Sequence, residues 1–216
     1  MTFQTKMLNT IFIKPTVLAF GLILSSQVWA SAADDLKAKL ASMNSFEAKF
    51  SQQVKDEQGE LLQSGQGTIA LAHPLKIRWE QASPDETLFV SDGEKTFYFD
   101  AFSEQVTVMK TNGLIDTTPF ILLTTRDSAQ WEKYQISNIA QGYRITPKPG
   151  IDSQVEILDI AFNKAQNLSA IKVTDLSGQV SSFTFKDSRV NGKLAGSLFS
   201  FNIPEGVVVD DQTQGE

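Results

Sequence analysis

The chain has 216 residues, of which 41% are hydrophobic and 20% charged, and its formal net charge is −6. It is long enough for one sizeable core, and its acidic balance argues against nucleic acid or anionic lipid head groups as partners. The absence of cysteine excludes disulfides, thiolate zinc sites and catalytic thiols, while a single histidine, His73, argues against a Ser-His-Asp triad and against a multi-histidine metal site.

The first thirty residues have the pattern of a secretory signal peptide. Lys6 and Lys14 precede an apolar run at 17–24, and small residues follow it. That run is too short for a bilayer span of about 20 residues. We therefore expect residues 1–30 to be a signal peptide, cleaved after Ala30 or Ala32, and the mature protein to be periplasmic.

The next part of the chain predicts one short helix and then strands. Asp34 and Asp35 precede Leu36 and Leu40 at helical spacing. From residue 46 the apolar period changes to two, which predicts a half-buried strand over 46–54. A second strand is expected over 61–71, where Gly65 and Gly67 fall on one face and mark either a sharp bend or a close approach by another group.

The remaining elements predict a curled sheet. Further strands are expected at 77–79, 87–91, 96–100, 105–110, 134–139, 143–146, 155–162, 168–173, 180–185 and 198–203. The segment between Asp116 and Trp131 instead predicts one or two short helices. We expect residues 31–216 to form a single, mainly β domain, an incomplete antiparallel β-barrel of about eleven strands with a few helices.

Few residues point to bond-making chemistry. His73 stands before a proline without further histidine or cysteine to complete a metal site, and acidic pairs such as Asp34-Asp35 and Asp210-Asp211 read as solvated ends and turns. No nucleophile elbow and no phosphate-binding or dinucleotide-binding glycine motif occurs. We therefore expect no enzyme, no metal and no cofactor. Aromatic residues along the strands are compatible with either an apolar ligand cavity or a plain core.

Motifs across the mature chain resemble the LolA family of periplasmic outer-membrane lipoprotein carrier proteins. The matching residues are Phe46, Ala48, Phe50 and Gln52, then Gly65-Gln66-Gly67, His73-Pro74 with Trp79, Pro84-Asp85-Glu86, Val90-Ser91-Asp92-Gly93, Thr118-Pro119-Phe120, Phe199 with Phe201, Pro204 with Gly206-Val207, and Val209-Asp210-Asp211-Gln212. Their order and spacing carry the resemblance, since none is diagnostic singly.

The resemblance implies a barrel closed by a lid of helices over a hydrophobic cavity for lipoprotein acyl chains. It also implies that an ATP-driven inner-membrane complex supplies the cargo and that an outer-membrane receptor accepts it. One-to-one handover makes a monomer the simplest expectation. The expected cavity residues are Phe50, Val54, Ile69, Leu71, Ile77, Trp79, Leu88, Val90, Phe97 and Phe99, and the expected lid residues are Pro119, Phe120, Leu122 and Leu123.

One position departs from the family pattern. Family members commonly place an arginine before the proline of the third strand, where it bonds to the lid backbone, whereas this chain has His73. A neutral imidazole offers one donor, so we expect a weaker or pH-sensitive lid latch. The alternative function is a periplasmic lipid-sensing or lipoprotein-sensing regulatory module on the same fold. The anchored outer-membrane receptor would need a cysteine that this chain lacks.

Overall fold

A computed structural model describes residues 31–114 and 119–214, with the backbone alone at 119 and 120. The expected signal peptide, residues 1–30, lies outside the described residues. The described helices are α1 (Ala32–Ser42), α2 (Pro119–Leu122) and α3 (Ser128–Trp131), with 3-10 turns at Thr111–Leu114 and Gly196–Phe199. The strands are β1 (Ser45–Lys55), β2 (Leu61–Ala72), β3 (Lys76–Ser83), β4 (Thr87–Asp92), β5 (Lys95–Asp100), β6 (Gln105–Lys110), β7 (Tyr134–Ile139), β8 (Gly142–Pro147), β9 (Val155–Phe162), β10 (Leu168–Asp175), β11 (Val180–Val190) and β12 (Val208–Asp211). None of these described helices is long and apolar enough to cross a membrane.

The described strands form one sheet in the order β12-β6-β5-β4-β3-β2-β1-β11-β10-β9-β8-β7. The predicted fold class is confirmed: the protein is mainly β, its sheet is not closed, and the helices in the described part of the chain are few and short. Strand β1 lies in the middle of the sheet, paired antiparallel with β2 and with β11.

Two details at the C-terminal end differ from expectation. The strand expected over 198–203 is wrong, because this region begins as the 3-10 turn Gly196–Phe199 and continues without regular structure. A strand that was not expected, β12, pairs parallel with β6 and adds a twelfth strand to the sheet. The sheet is therefore not purely antiparallel.

Helix α1 forms where the sequence predicts it. Its N-cap is Ser31, whose hydroxyl accepts from the Asp34 amide at 3.1 Å, and the two acidic residues of its first turn favour the positive end of the helix dipole. Leu36 and Leu40 lie on one side of the helix and are buried. They join a cluster that includes Phe46 of β1 and Ile145 of β8. We call the sheet surface against which α1 packs the inner face.

The outer face of β4 to β6 is also apolar, because the chain returns to cover it. Val90, Phe97 and Val108 lie opposite one another across these strands and alternate with the inner-face residues. The ring centroid of Phe201 lies 5.6 Å from that of Phe97 and 5.9 Å from that of Phe99. The segment 195–207, which we call the C-terminal segment, therefore supplies the cover.

Candidate functional site: an apolar cavity on the inner face

Three aromatic rings form the floor of the inner face at its centre. Phe50 and Trp79 lie with ring centroids 4.0 Å apart at an interplanar angle of 30°. Phe183 of β11 meets Trp79 edge-on at 4.9 Å and Phe50 at 6.0 Å. Gly67 makes this contact possible, since a Cβ there would stand 2.7 Å from the Phe50 ring and 2.0 Å from the Glu80 carbonyl oxygen. The close approach, one of the two alternatives expected at this glycine, is present.

A cavity of about 270 Å³ opens beside this floor. Its lining residues are Gln52, Ile77, Trp79, Gln81, Thr87, Phe89, Tyr98 and Phe183. The apolar members come from β3, β4, β5 and β11, and the polar members lie together near the ends of β1 and β3 and the start of β4. The cavity is smaller than the roughly 300–1,000 Å³ typical of small-molecule sites. Such a cavity must widen before it can hold long acyl chains.

The short helices at the other end of the inner face close over the core. Ile121, Leu122 and Leu123 are all buried and belong to the same hydrophobic cluster as the floor. Asp127 caps α3 by accepting from the Ala129 amide at 2.9 Å, and Trp131 buries its ring. We call residues 119–131 the lid. Pro119 and Phe120, also predicted as lid residues, begin α2.

His73 contacts the lid backbone. Its Nδ1 lies 2.6 Å from the carbonyl oxygen of Thr124, and the Leu75 amide donates to the same oxygen at 3.3 Å. Burial lowers the pKa of His73, the nearby Arg126 charge lowers it further, and the carbonyl of Thr124 opposes both. The neutral ring with its proton on Nδ1 therefore donates to the lid.

Further hydrogen bonds connect the lid, and the 3-10 turn that precedes it, to the rest of the domain. Arg126 donates to the Asn44 side chain at 2.7 Å, just beyond the end of α1. In the 3-10 turn before the lid, the Thr111 hydroxyl lies 3.0 Å from that of Ser91, which itself donates to the Leu75 carbonyl at 2.6 Å. The hydroxyls of Ser91 and Thr111 are fully buried, so these bonds are costly to break.

A buried phenol ties α1 to the far half of the sheet. The Tyr143 hydroxyl of β8 donates to the carboxylate of Asp35 in the first turn of α1. Burial raises the pKa of Tyr143, and the Asp35 carboxylate raises it further, so the phenol stays protonated as a donor. The helix is thereby fixed over the inner face at its N-terminal end.

Six of the predicted cavity residues lie on the inner face. Phe50, Ile69, Leu71, Ile77 and Trp79 all belong to the inner cluster, and Val54 shares their face by alternation along β1. Only Ile77 and Trp79 of the six line the cavity itself. The role of these residues in holding cargo stays a prediction.

The other four predicted cavity residues are on the wrong face. Leu88, Val90, Phe97 and Phe99 lie on the outer face, since their neighbours Phe89 and Tyr98 are the residues that line the cavity. The physical reason is that β4 and β5 are apolar on both faces, so their sequence does not show which residues point inward.

The sequence interpretation also missed Phe89, Tyr98 and Phe183. Phe89 lies opposite Trp79 in the β3–β4 pairing. Because directly opposed residues of paired strands share a face, the prediction that Trp79 lies on the inner face would also have placed Phe89 on it. Phe183 alternates with polar neighbours in β11 and could have been found in the same way. The partner of His73, the Thr124 carbonyl, has no sequence signal because it is a backbone atom.

Within the described ranges, no three histidine, cysteine, aspartate or glutamate side chains come together as a metal-binding group. The inner face thus has an apolar cavity at one end and a hydrogen-bonded lid over the core at the other.

The sequence is similar to those of known outer-membrane lipoprotein carrier proteins. The sequence model of the family "Outer membrane lipoprotein carrier protein LolA" matches residues 41–202. An outer-membrane lipoprotein carrier protein of Pseudoalteromonas translucida is 51% identical over 212 residues, which are 98% of this chain and 100% of that protein. A protein of the same description from Aeromonas salmonicida is 38% identical over 191 residues, 88% of this chain and 94% of that one. The crystal structure of a LolA superfamily protein from Nitrosomonas europaea has 10% identity, covers 80% of this chain and 99% of its own, and gives a TM-score of 0.45.

Proposed function

The chain belongs to the LolA family of outer-membrane lipoprotein carrier proteins, and from this membership we propose that its inner-face cavity receives the acyl chains of the cargo. Carriage of outer-membrane lipoproteins is the role of the family. The observation that carries the proposal is an apolar cavity on the face that also bears a hydrogen-bonded lid.

The physical requirement on such a carrier is to cover apolar surface and yet release it. Each methylene group taken out of water contributes about 0.8 kcal/mol, so a lipoprotein with long acyl chains does not cross water unaided. A rigid, fully matched pocket would hold the chains too tightly. A container whose walls are Ile77, Trp79, Phe89 and Phe183 binds by apolar contact without a fixed hydrogen-bond pattern along the chain.

The lid supplies the means of loading and release. The cavity of about 270 Å³ is too small for several acyl chains, so cargo entry requires it to widen, and in this proposal the lid at the other end of the inner face moves away from the sheet in that step. In this step the bond between His73 and the Thr124 carbonyl breaks, and so does the bond from the Leu75 amide. His73 is thus the latch, and its neutral ring makes fewer bonds than the arginine common in the family.

The cellular setting follows from the same proposal. Residues 1–30 direct export and are removed after Ala30 or Ala32, and residues 31–216 act as one periplasmic domain. The carrier receives lipoproteins from an ATP-driven inner-membrane complex and passes them to an outer-membrane receptor as a monomer. It catalyses no bond cleavage in this cycle.

The test is release of a tagged outer-membrane lipoprotein from spheroplasts on addition of the purified mature protein. We expect a soluble one-to-one complex in the medium. A Trp79→Glu variant places a charge in the cavity floor and should release none, whereas Lys49→Glu, on the outer face of β1, should act as the wild type. Absence of release by the folded wild type, with the cognate inner-membrane complex present, would contradict the carrier proposal.

A further inference from the structure

Oxygen acceptors converge at the mouth of the cavity. A Cβ built on Gly65 would stand 2.9 Å from the Ser83 carbonyl oxygen, 3.2 Å from Oε1 of Gln52 and 3.6 Å from Oε1 of Gln81. These atoms come from β1 and β3, which flank β2 on either side, and they meet over Gly65 because it has no side chain. Gln52 and Gln81 both line the cavity.

The amide of Gln81 is held with its oxygen towards this cluster. Its Nε2 donates to the Asp85 carbonyl at 3.2 Å, so the donor of the amide is engaged outside the mouth and Oε1 is left facing Gly65. The amide oxygens beside Gly65 are acceptors, which pair with N–H or O–H groups and not with another acceptor.

Acidic residues around the mouth, like the oxygen acceptors, disfavour an anion. Asp100 lies opposite Thr87 at the same end of the inner face, and Asp85 and Glu86 occupy the turn between β3 and β4. The residues that line the cavity include no lysine or arginine. A carboxylate or phosphate at this position would meet oxygen acceptors and negative charge, which is unfavourable in a partly desolvated site.

We propose that the mouth, where the Oε1 atoms of Gln52 and Gln81 lie beside Gly65, accepts backbone N–H groups of a peptide joined to the acyl chains, and so selects acylated peptides over anionic lipids with the same chains. The inference rests on the proposed carriage of acyl chains in this cavity. It adds recognition of the peptide by hydrogen bonds to recognition of the acyl chains by apolar contact. Fatty acids and acidic phospholipids then compete poorly, although their hydrocarbon parts fit equally well.

The experiment compares two probes by displacement of a neutral naphthylamine dye from the purified mature protein. One probe is a tripalmitoylated cysteinyl peptide with an uncharged serine-glycine tail, and the other is palmitate. The variants are Gln52→Met and Gln81→Met, which keep the length of the side chain and remove the amide. Gln53→Met is the matched control, since this residue lies next along β1 on the opposite face and is exposed.

We expect each cavity variant to weaken the lipopeptide about five-fold, as is typical for the loss of one hydrogen bond, and to leave palmitate unchanged or slightly tighter. Gln53→Met should bind both probes as the wild type does. Gln52→Glu keeps two oxygen acceptors and should retain lipopeptide binding while it weakens palmitate further. Thermal unfolding of every variant identifies any that does not fold.

The outcomes separate this inference from the proposed function. If the wild type binds the lipopeptide and both methionine variants keep the same preference for it over palmitate, the proposed recognition of peptide N–H groups is overturned while the carrier proposal stands. Equal weakening of both probes would also overturn it, because the amides would then be supporting the cavity wall only. If the folded wild type binds no lipopeptide, the proposed function itself fails.

Discussion

The ring of Phe50 stacks on that of Trp79 across an intervening strand, with centroids 4.0 Å apart. Phe50 belongs to β1 and Trp79 to β3, and β2 lies between them. Side chains on alternate strands of a sheet do not usually meet, because the middle strand places its own side chain between them. Here the middle strand presents Gly67, and the ring of Phe50 lies over it.

Replacement of Gly67 by alanine should damage the floor of the inner face. The new methyl would stand 2.0 Å from the Glu80 carbonyl oxygen, a backbone atom, so the strands themselves must shift. We expect the free energy of unfolding in urea to fall by about 3 kcal/mol, the upper range for overpacking. Gly192→Ala, where a Cβ meets nothing within 4 Å, is the control and should change it by less than about 1 kcal/mol.

The assignment of faces predicts different effects for two aromatic residues. Trp79→Leu should weaken binding of an acyl probe several-fold, because Trp79 lines the cavity. Phe99→Leu should leave binding unchanged, since Phe99 faces Phe201 of the C-terminal segment. Both variants should lower the free energy of unfolding, by roughly 2 kcal/mol. Loss of binding in the Phe99 variant at full folding would contradict the assignment.

The latch should weaken in mild acid. Burial lowers the pKa of His73 in the closed form below its ordinary value of about 6.5, so the open form binds more protons as the pH falls below that value. The closed form is therefore most stable above pH 6.5 and loses stability below it. Hydrogen exchange of the Leu75 amide, which donates to the Thr124 carbonyl, should show lower protection at pH 5.5 than at pH 7.5.

His73→Arg is the companion test of the latch. Arginine stays charged at both pH values, so the pH dependence of Leu75 protection should disappear. Protection should also rise at either pH if the guanidinium makes more bonds to the lid backbone than the imidazole does. A pH step that persists in this variant would show that another group is responsible.

Loss of the phenol that ties α1 to the sheet should destabilise the protein. Tyr143→Phe leaves the carboxylate of Asp35 without this donor, and the expected loss in the free energy of unfolding is about 1–3 kcal/mol. Urea titration measures it. In an Asp35→Asn background the same substitution should cost less, because the charge-assisted bond is already removed; equal costs in both backgrounds would assign the effect to packing.

The sheet was predictable where the apolar pattern alternates and turns are clear. The strand expected over 155–162 is β9 itself, and the Asp92-Gly93 signal is a tight turn in which Asp92 accepts from the amides of Glu94 and Lys95 at 2.8 Å each. The strand expected over 198–203 failed for a tertiary reason. Its apolar residues pack onto an existing sheet face, which requires burial but no strand pairing.

Strand β12 could not be predicted from local pattern. It has four residues and pairs parallel with β6, about a hundred positions earlier, so no turn or hairpin signal marks it. The cavity was predictable only in part for a similar reason. The inward residues of β1 to β3 follow the alternation from Phe50 and Trp79, but β4 and β5 are covered on both faces and lose that guide.

The central pairing of β1 with β11 has a consequence for the order of folding. Within β2 to β6, and within β7 to β11, each strand pairs with the next one along the chain. Strands β1 and β11 pair although most of the chain separates them. Contacts of such sequence separation form late, because loop closure must come first. Phe183 of β11 completes the cavity wall, so a chain that has grown only through β10 lacks this part of the wall and the pairing that joins the two parts of the sheet. We therefore expect the complete cavity only after β11 has paired with β1, late in folding.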